Sequence, residues 1–162
     1  GFGFMIYNAF SNVYTKFKMH FYQEVFKKWG NREVSLTTVE TFCMEIILAL
    51  NKPTVSRFAE FTSLSSANAA DKVNKLIGKG YLMKVQSEKD RRVYHLEVTQ
   101  KYMDYYNISY QYMNTVMKRV EERLSPEELK IAAKVLNVMD EELTKEVRLE
   151  SNSEYETVDT AE

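Results

Sequence analysis

The chain has 162 residues, of which 44% are hydrophobic and 28% charged, and its formal net charge is -1. This length and composition predict a single globular domain with an ample core, and the near-zero charge does not suggest a general polyanion binder. The one cysteine excludes an intramolecular disulfide framework and favours a reducing cytoplasm. No apolar run reaches the roughly 18 residues of a membrane span, and the first residues lack the charged region of a signal peptide.

The first predicted element is a long aromatic helix from Met5 to Trp29, which Gly30-Asn31 is expected to end. Its apolar residues recur at spacings of three and four, the period of one helix face. They are Ile6, Phe10, Val13, Phe17 and Phe21. A helix this apolar needs a large surface to pack against.

A second helix is predicted from Leu36 to Leu50, because Thr37 and Glu40 have the spacing of a capping box. Its buried side is predicted to consist of apolar residues that repeat with the helical period. These residues are Phe42, Cys43, Ile46, Ile47 and Leu50.

Two shorter helices follow, joined by the turn 62–64. The first runs from Val55 to Phe61, since Pro53 breaks the preceding helix and Thr54 can cap the new one. The second is capped by Ser65 or Ser66 and runs to about Gly78, with Gly80 as a stop. Its predicted apolar face is Ala69, Val73, Leu76 and Ile77, and the residues pointing away are Ser66, Asn68, Asp71, Lys72 and Lys75. This division is typical of a recognition helix, which packs on one side and contacts bases and phosphates on the other.

A β-hairpin is predicted next, with strands 81–86 and 93–98 and a polar turn at 87–92. Alternation in the second strand predicts three inward and three outward side chains. The inward set is Tyr94, Leu96 and Val98, and the outward set is Val93, His95 and Glu97. Seven Lys or Arg residues but only three acids lie between Asp71 and Arg92. The positive charge is therefore concentrated where a phosphate backbone would lie.

The remaining sequence predicts two more helices and an acidic tail. A heptad-like seam runs from Gln100 to Leu124, and Ser125-Pro126 starts a second amphipathic helix that continues to Leu143. Residues 148–162 carry five acids and one cation without apolar periodicity, which predicts disorder.

Together these elements predict a mainly α fold with a small β-hairpin wing, of the α+β class. Residues 1–147 would form one domain: a winged helix-turn-helix lobe at 36–99, and long N- and C-terminal dimerisation helices at 1–30 and 100–147. A winged module of about 65 residues leaves these terminal helices without an enclosed partner, so we expect a two-fold homodimer. Its two recognition helices would meet half-sites about 34 Å apart on double-stranded DNA.

Three short motifs carry a resemblance to a known family. Residues 90–99 read DRRVYHLEVT: Asp-x-Arg, three residues, an aliphatic, any residue, an aliphatic and Thr. Lys79-Gly80-Tyr81-Leu82 follows the recognition helix, and Leu64-Ser65 precedes it. Over about Leu36 to Leu143 the sequence resembles the MarR family of bacterial transcriptional regulators. The resemblance implies an obligate homodimer on a pseudo-palindromic operator, usually a repressor, and often a pocket for small aromatic or phenolic acids.

Within this interpretation the DNA-contacting residues lie in the two short helices and the wing. They are Thr54, Ser65, Ser66, Asn68, Lys72, Lys75, Lys89, Arg91 and Arg92. Ser66 and Asn68 are placed to read base edges, and one wing arginine is expected in the minor groove. Asp90 is expected to pair with Arg92 and to fix the wing turn.

A possible effector pocket is predicted from aromatic and methionine residues, whose other role is core and dimer packing. Its residues are Phe17, His20, Tyr106, Tyr110 and Met113. Cys43 lies on an apolar helix face and is interpreted as an inert buried thiol rather than a redox sensor. Two histidines are too few for a zinc site without added carboxylates.

No catalytic set and no phosphate-binding loop is present, so the sequence predicts neither an enzyme nor a cofactor. The alternative function is a winged-helix adaptor or antirepressor that binds protein and not DNA, which Asp71 and the neutral overall charge favour slightly.

Overall fold

The computed structural model describes residues 1–29 and 36–149. The predicted helix end at Gly30-Asn31 lies outside these ranges, as do all but the first two residues of the tail 148–162, which was predicted to be disordered. The chain forms two compact units, which divide between Trp29 and Leu36, between Asp104 and Tyr105, and between Val147 and Arg148. We call 36–104 with 148–149 the winged unit, and 1–29 with 105–147 the helical unit.

The described residues form helices and one two-stranded sheet, in the order predicted. The elements are α1 Phe2–Trp29, α2 Thr38–Ala49, α3 Val55–Thr62, α4 Ser66–Gly78, β1 Leu82–Gln86, β2 Tyr94–Val98, α5 Gln100–Tyr106, α6 Ile108–Arg123 and α7 Pro126–Glu142. This confirms the predicted class, a mainly helical winged helix-turn-helix with a β-hairpin. None of the described helices is long and apolar enough to cross a membrane.

The helix starts follow from local hydrogen bonding. Thr37 and Glu40 form a complete capping box at α2, and Ser125 with Glu128 forms another at α7. A capping box satisfies two backbone N–H groups that the first helical turn leaves without partners. Each such box fixes where its helix begins, as the sequence predicted.

The core of the winged unit is tightly closed. Phe58, Ala69, Val73, Leu76 and Leu96 are at most 8% exposed. Ser63 between α3 and α4 adopts the left-handed conformation, with φ 58°, and the Leu64 N–H donates to the Ala59 carbonyl. This tight turn lets α4 pack across α3 through small and branched apolar side chains.

The predicted inner surface of α2 is only partly buried. Cys43, Ile47 and Leu50 are buried, whereas Phe42 is 50% exposed. The prediction for Phe42 was wrong because it stands at the margin of the apolar stripe, one residue before the buried Cys43. Its ring therefore turns towards solvent.

The two wing strands pair antiparallel, with Leu82 opposite Val98 and Gln86 opposite Tyr94. The predicted alternation in β2 was wrong at two residues: His95 is 4% exposed and Tyr94 is 45% exposed. The outward face of β2 was expected to meet water at His95, but the loop before α3 covers it. The Leu96 N–H donates to the Pro53 carbonyl at 2.7 Å, which holds this loop against β2.

The helical unit contains α1, α6 and α7. The predicted single helix from Gln100 to Leu124 is broken at Asn107, whose ψ of 40° lies outside the helical range. Asparagine leaves the helical conformation more readily than most residues. The apolar periodicity continues across this break, so it could not predict where the helix is interrupted.

Candidate DNA-binding surface

The outer side of α4 is polar and exposed, as expected of a recognition helix. Ser65 is the N-cap, and its hydroxyl accepts from the Asn68 N–H at 3.2 Å, so Ser66 is the first helical residue rather than the cap. Ser66, Asn68 and Lys75 are exposed, and Lys72 is half-buried. The opposite side is fixed in the core, which holds the polar side outward.

An ion pair modifies the charge of this helix. The Lys75 Nζ lies 3.1 Å from an Asp71 carboxylate oxygen, and both side chains are more than 60% exposed. Exposed pairs one turn apart contribute only tenths of a kcal/mol. Lys75 can therefore leave Asp71 for a phosphate at small cost.

The wing turn is organised around the hydroxyl of Ser87. This residue is 4% exposed, and its Oγ accepts from the backbone N–H groups of Lys89 and Asp90, both at 3.2 Å. The Ser87 N–H donates to the Val93 carbonyl at 2.8 Å, closing the loop between the strands. The buried Ser87 therefore stabilises this turn, whose most evident feature in the sequence is its cations.

Asp90 and Arg92 form a two-pronged pair at the wing tip. The Asp90 carboxylate accepts from the backbone N–H, the Nε and the Nη2 of Arg92, each at 3.0 Å. The Arg92 side-chain hydrogen bonds lower the pKa of Asp90, with help from the backbone one, and Asp90 raises the pKa of Arg92. The pairing expected from the sequence is present; its importance for the wing remains a prediction.

Arg91 and Lys89 point into solvent beside this pair. The Arg91 backbone carbonyl accepts from the Gln86 amide at 2.8 Å, which anchors its main chain while its side chain stays exposed. The two wing arginines therefore differ: Arg92 is bound to an acid, as the sequence predicted, and Arg91 extends from an anchored backbone.

Thr54 serves first as the N-cap of α3. Its hydroxyl accepts from the Arg57 N–H at 3.1 Å, and the residue is half-buried. A capped helix start still leaves further N–H groups and the positive end of the helix dipole towards anions. The helix end, more than the threonine hydroxyl, is suited to a phosphate.

The turn before α3 contacts the wing, and sequence reasoning missed this connection. Asn51 and Lys52 adopt left-handed conformations, with φ 55° and 58°. The Lys52 carbonyl lies 3.2 Å from the His95 Nδ1, and the Lys52 ammonium lies 3.6 Å from Glu97. The only sequence signal was the Asn51-Lys52-Pro53 break itself, which marks a turn without naming its partner.

An ion pair also joins the start of α2 to the end of α4. The Lys79 Nζ lies 2.8 Å from the Glu40 carboxylate, which is also part of the capping box of α2. Burial raises the pKa of Glu40, but the bonds from Lys79 and Thr37 outweigh it, and the net pKa is lowered. This pair holds the far end of α4 in place.

Cys43 is buried at 4% exposure, and burial raises the pKa of its thiol, with only partial opposition from Lys72. A thiol kept protonated in this way is a poor nucleophile. Its geometry agrees with an inert core cysteine. Across residues 1–29 and 36–149, no group of three His, Cys, Asp or Glu side chains is arranged to hold a metal ion.

The residues predicted for an effector pocket lie in the helical unit. The ring of His20 stacks on Tyr112 at 3.7 Å, and Phe17 meets the same tyrosine edge-on at 5.3 Å. Tyr110 and Met113 are 58% and 47% exposed, and the side chain of Tyr106 lies outside what the structure describes.

An open cavity of about 550 Å³ in this unit includes His20 but none of the other predicted residues. It is lined by Lys16, Met19, His20, Tyr22, Gln23 and Tyr112.

Comparison with known proteins gives one family and several similar folds. Residues 36–94 match the model of the MarR family. The structure is similar to FabT of Streptococcus pneumoniae, solved in complex with DNA, with a TM-score of 0.58 and 22% identity over 88% of this chain and 98% of that one. It is also similar to a MarR-like regulator of Thermotoga maritima, with a TM-score of 0.57 and 19% identity over 87% and 96% of the two chains.

A MarR family protein of Bacillus stearothermophilus gives a TM-score of 0.59 and 15% identity over 86% and 94% of the chains. Comparison with curated protein sequences gives no match. At these identities the similar structures show the fold, and the family model covers the whole helix-turn-helix and most of the wing. The match to the MarR family model is confined to the winged helix-turn-helix, and the fold of the described residues is similar to that of the MarR structures.

Proposed function

We propose that this protein is a cytoplasmic, homodimeric repressor that binds a pseudo-palindromic DNA operator. The single observation that carries the proposal is the polar, cationic surface formed by the outer side of α4 and the wing turn. It lies on an otherwise closed apolar core, which displays its cations at the surface.

In this proposal α4 enters the major groove. Ser66 and Asn68 stand at its N-terminal end, where side chains of a recognition helix meet base edges. Lys72 and Lys75 would neutralise phosphates, and Thr54 and Ser65 would act through the helix starts that they cap, whose N–H groups point towards anions.

The wing is proposed to enter the adjacent minor groove through Arg91. A guanidinium suits the negative potential of a narrow minor groove. Arg92 would hold the turn in shape through Asp90, and Lys89 would contact a phosphate. The division of roles rests on the Asp90–Arg92 pair, which occupies one arginine and leaves the neighbouring side chain exposed.

The homodimer is proposed from the surface of the helical unit. Large apolar side chains are exposed on all three of its long helices, such as Phe4 at 70%, Met113 at 47% and Ile131 at 65%. A second copy of the chain can cover them by a two-fold interface. The two recognition helices would then meet successive major grooves about 34 Å apart.

A small aromatic acid is the proposed effector class. The cavity beside His20 and Tyr112 offers aromatic faces, and Lys16 supplies a cation for a carboxylate. Titration with salicylate as the probe, followed by tyrosine and tryptophan fluorescence, tests this. Saturable binding that K16A weakens would support the site, and no saturation up to millimolar concentration would refute it.

The test of DNA binding is selection of bound duplexes from a random pool at about 100 mM salt, followed by affinity measurements on the selected duplex. R91A is expected to weaken binding about tenfold and to reduce the salt slope by about one. R92A is expected to weaken it less. R119A removes another exposed arginine, from α6, as a control and should change little. Equal losses in R91A and R119A would contradict the proposed docking.

One observation favours the alternative, a protein-binding adaptor: Asp71 offsets the charge of Lys75 on the outer side of α4. Random duplex at low salt separates the two functions, because electrostatic binding needs no specific sequence. The repressor binds it weakly and loses it as salt rises, whereas an adaptor leaves it unbound throughout.

A further inference from the structure

A β-turn of four residues forms the end of the wing and places two arginines side by side. The Val93 N–H donates to the Asp90 carbonyl at 3.0 Å. Arg91 and Arg92 are therefore the two central residues of this turn. Both side chains are exposed, so the direction in which each one leaves the wing depends on the main chain of the turn.

The peptide group that joins the two arginines is held on both sides by side chains. Its carbonyl, which belongs to Arg91, accepts from the Gln86 Nε2 at 2.8 Å. Its N–H, which belongs to Arg92, donates to the Asp90 Oδ1 at 3.0 Å. The C=O and N–H of a planar trans peptide group point in opposite directions. The two bonds together oppose rotation of this central peptide, the group that rotates when a β-turn changes from type I to type II.

Gln86 differs from Asp90 in where it is anchored. It is the last residue of β1 and lies opposite Tyr94 in the sheet, so its amide connects the central peptide to a strand. Asp90 is itself part of the turn, and the Asp90–Arg92 pair can move with it. The Ser87 hydroxyl holds the N–H groups before the arginines, at Lys89 and Asp90. The bond from Gln86 therefore fixes the second half of the turn to the sheet.

We propose that Gln86 is a positioning residue for Arg91: by holding the central peptide, its amide prepares the arginine for the minor groove before DNA binds. This inference rests on the proposed function and deepens it, because it names the residue that orders the wing for its DNA contact. A group that is ordered beforehand loses less conformational freedom on binding. Removal of the Gln86 amide should therefore weaken DNA binding, although the charge of the wing is unchanged.

The test variant is Q86M, because methionine keeps the length and neutrality of the side chain but cannot donate a hydrogen bond. We expect Q86M to bind the selected duplex about threefold more weakly, since an exposed neutral hydrogen bond has a modest net value. The salt slope should stay that of the unaltered protein, because no cation is removed. The control is Q100M, which removes another exposed amide, one that donates to Asp104 on α5 at 2.7 Å. Equal losses in the two variants would overturn the proposal.

A double-mutant cycle separates positioning from a direct contact between Gln86 and DNA. If Gln86 acts through Arg91, Q86M should cause little further loss of affinity in an R91A background, because the guanidinium that it positions is absent. A bond from Gln86 to a base or a phosphate would instead give the same loss in both backgrounds. An undiminished loss in R91A would therefore overturn the proposal.

A measurement without DNA keeps this inference separate from the proposed function. The NMR order parameter of the Arg92 amide reports motion of the peptide that Gln86 holds. It should fall in Q86M and stay unchanged in Q100M, and an unchanged value in Q86M would overturn the proposal. If no protein binds DNA but the order parameter falls, the proposed function fails and the bond from Gln86 still orders the turn. If the unaltered protein and Q86M bind DNA equally well, the positioning role is refuted and the proposed function stands.

Discussion

The winged unit and the helical unit differ in the exposure of their apolar residues. Among the described residues, 16 hydrophobic side chains are buried, and only Val25 and Ile108 of these belong to the helical unit. The exposed large hydrophobic side chains are distributed in reverse, and most of them lie on α1, α6 and α7. The winged unit closes its own core, whereas the helical unit leaves its apolar stripes uncovered.

This difference in apolar exposure indicates a separate role for each unit. An isolated chain rarely exposes contiguous apolar surface of this extent unless a partner covers it. We therefore propose that the helical unit is half of a dimer interface, while the winged unit closes its own core and displays cations. Four substitutions test this difference between the two units.

The largest effect is expected in the core of the winged unit. F58A removes a fully buried ring and should lower the free energy of unfolding by about 3–5 kcal/mol, because it leaves a cavity. F42A is the control, since that ring is 50% exposed on α2, and it should cost less than about 1 kcal/mol. Urea unfolding followed by circular dichroism measures both. Similar losses would mean that the core is not closed as described.

A smaller effect, on assembly, is expected in the helical unit. L136E places a charge on a half-exposed apolar position of α7 and should weaken the dimer at least thirtyfold, equivalent to about 2 kcal/mol. M83E, on an exposed position of the wing, should leave it unchanged. Sedimentation equilibrium over a range of concentrations measures the difference. An unaltered protein that stays monomeric throughout would contradict the proposed role of these helices.

The wing turn should respond to pH through Asp90. Its pKa is lowered in the folded protein, so the contribution of the pair to stability is present above the unfolded pKa, near 3.8, and is lost as the pH falls through the lower, folded value. Carboxyl resonances should show Asp90 titrating below an ordinary aspartate, and R92Q should raise that midpoint. A midpoint unchanged by R92Q would exclude Arg92 as the cause.

The smallest effect is expected at Glu45, whose carboxylate accepts from the Tyr102 hydroxyl at 2.9 Å. Burial raises its pKa above 4.5, against a lowering effect of that hydrogen bond. An acid with a raised pKa destabilises the fold as the pH rises from its unfolded value through its folded value. E45Q should therefore gain stability relative to the unaltered protein over that window and keep the gain at pH 7. Thermal unfolding at pH 4 and pH 7 checks this, and a constant difference would refute it.

Features decided by neighbouring residues were predictable from the sequence. Thr54 caps α3, and the inner side of α4 is buried at Ala69, Val73 and Leu76, because capping and helical periodicity operate within a few residues. The same holds for the Asp90–Arg92 pair, whose partners are two positions apart. Local chemistry was enough to indicate the fold and its charged surface.

Features decided by distant residues were not predictable. His95 is buried because Lys52 and Pro53, more than 40 positions earlier, cover it, and alternation within β2 carries no trace of that loop. Likewise, the Arg57 Nη2 donates to the backbone carbonyl of Arg148, which lies 91 positions later in the sequence. Such contacts depend on the tertiary arrangement, which a periodic pattern does not contain.

The most direct test of the account is the stoichiometry and spacing dependence of binding to the selected duplex. Two copies of the chain should bind one duplex with half-sites about 10 base pairs apart, as measured by sedimentation. Insertion of five base pairs between the half-sites should abolish this complex, because it turns one half-site to the opposite side of the helix. One chain per duplex, or binding that is indifferent to the insertion, would contradict a dimer that presents two winged units to one operator.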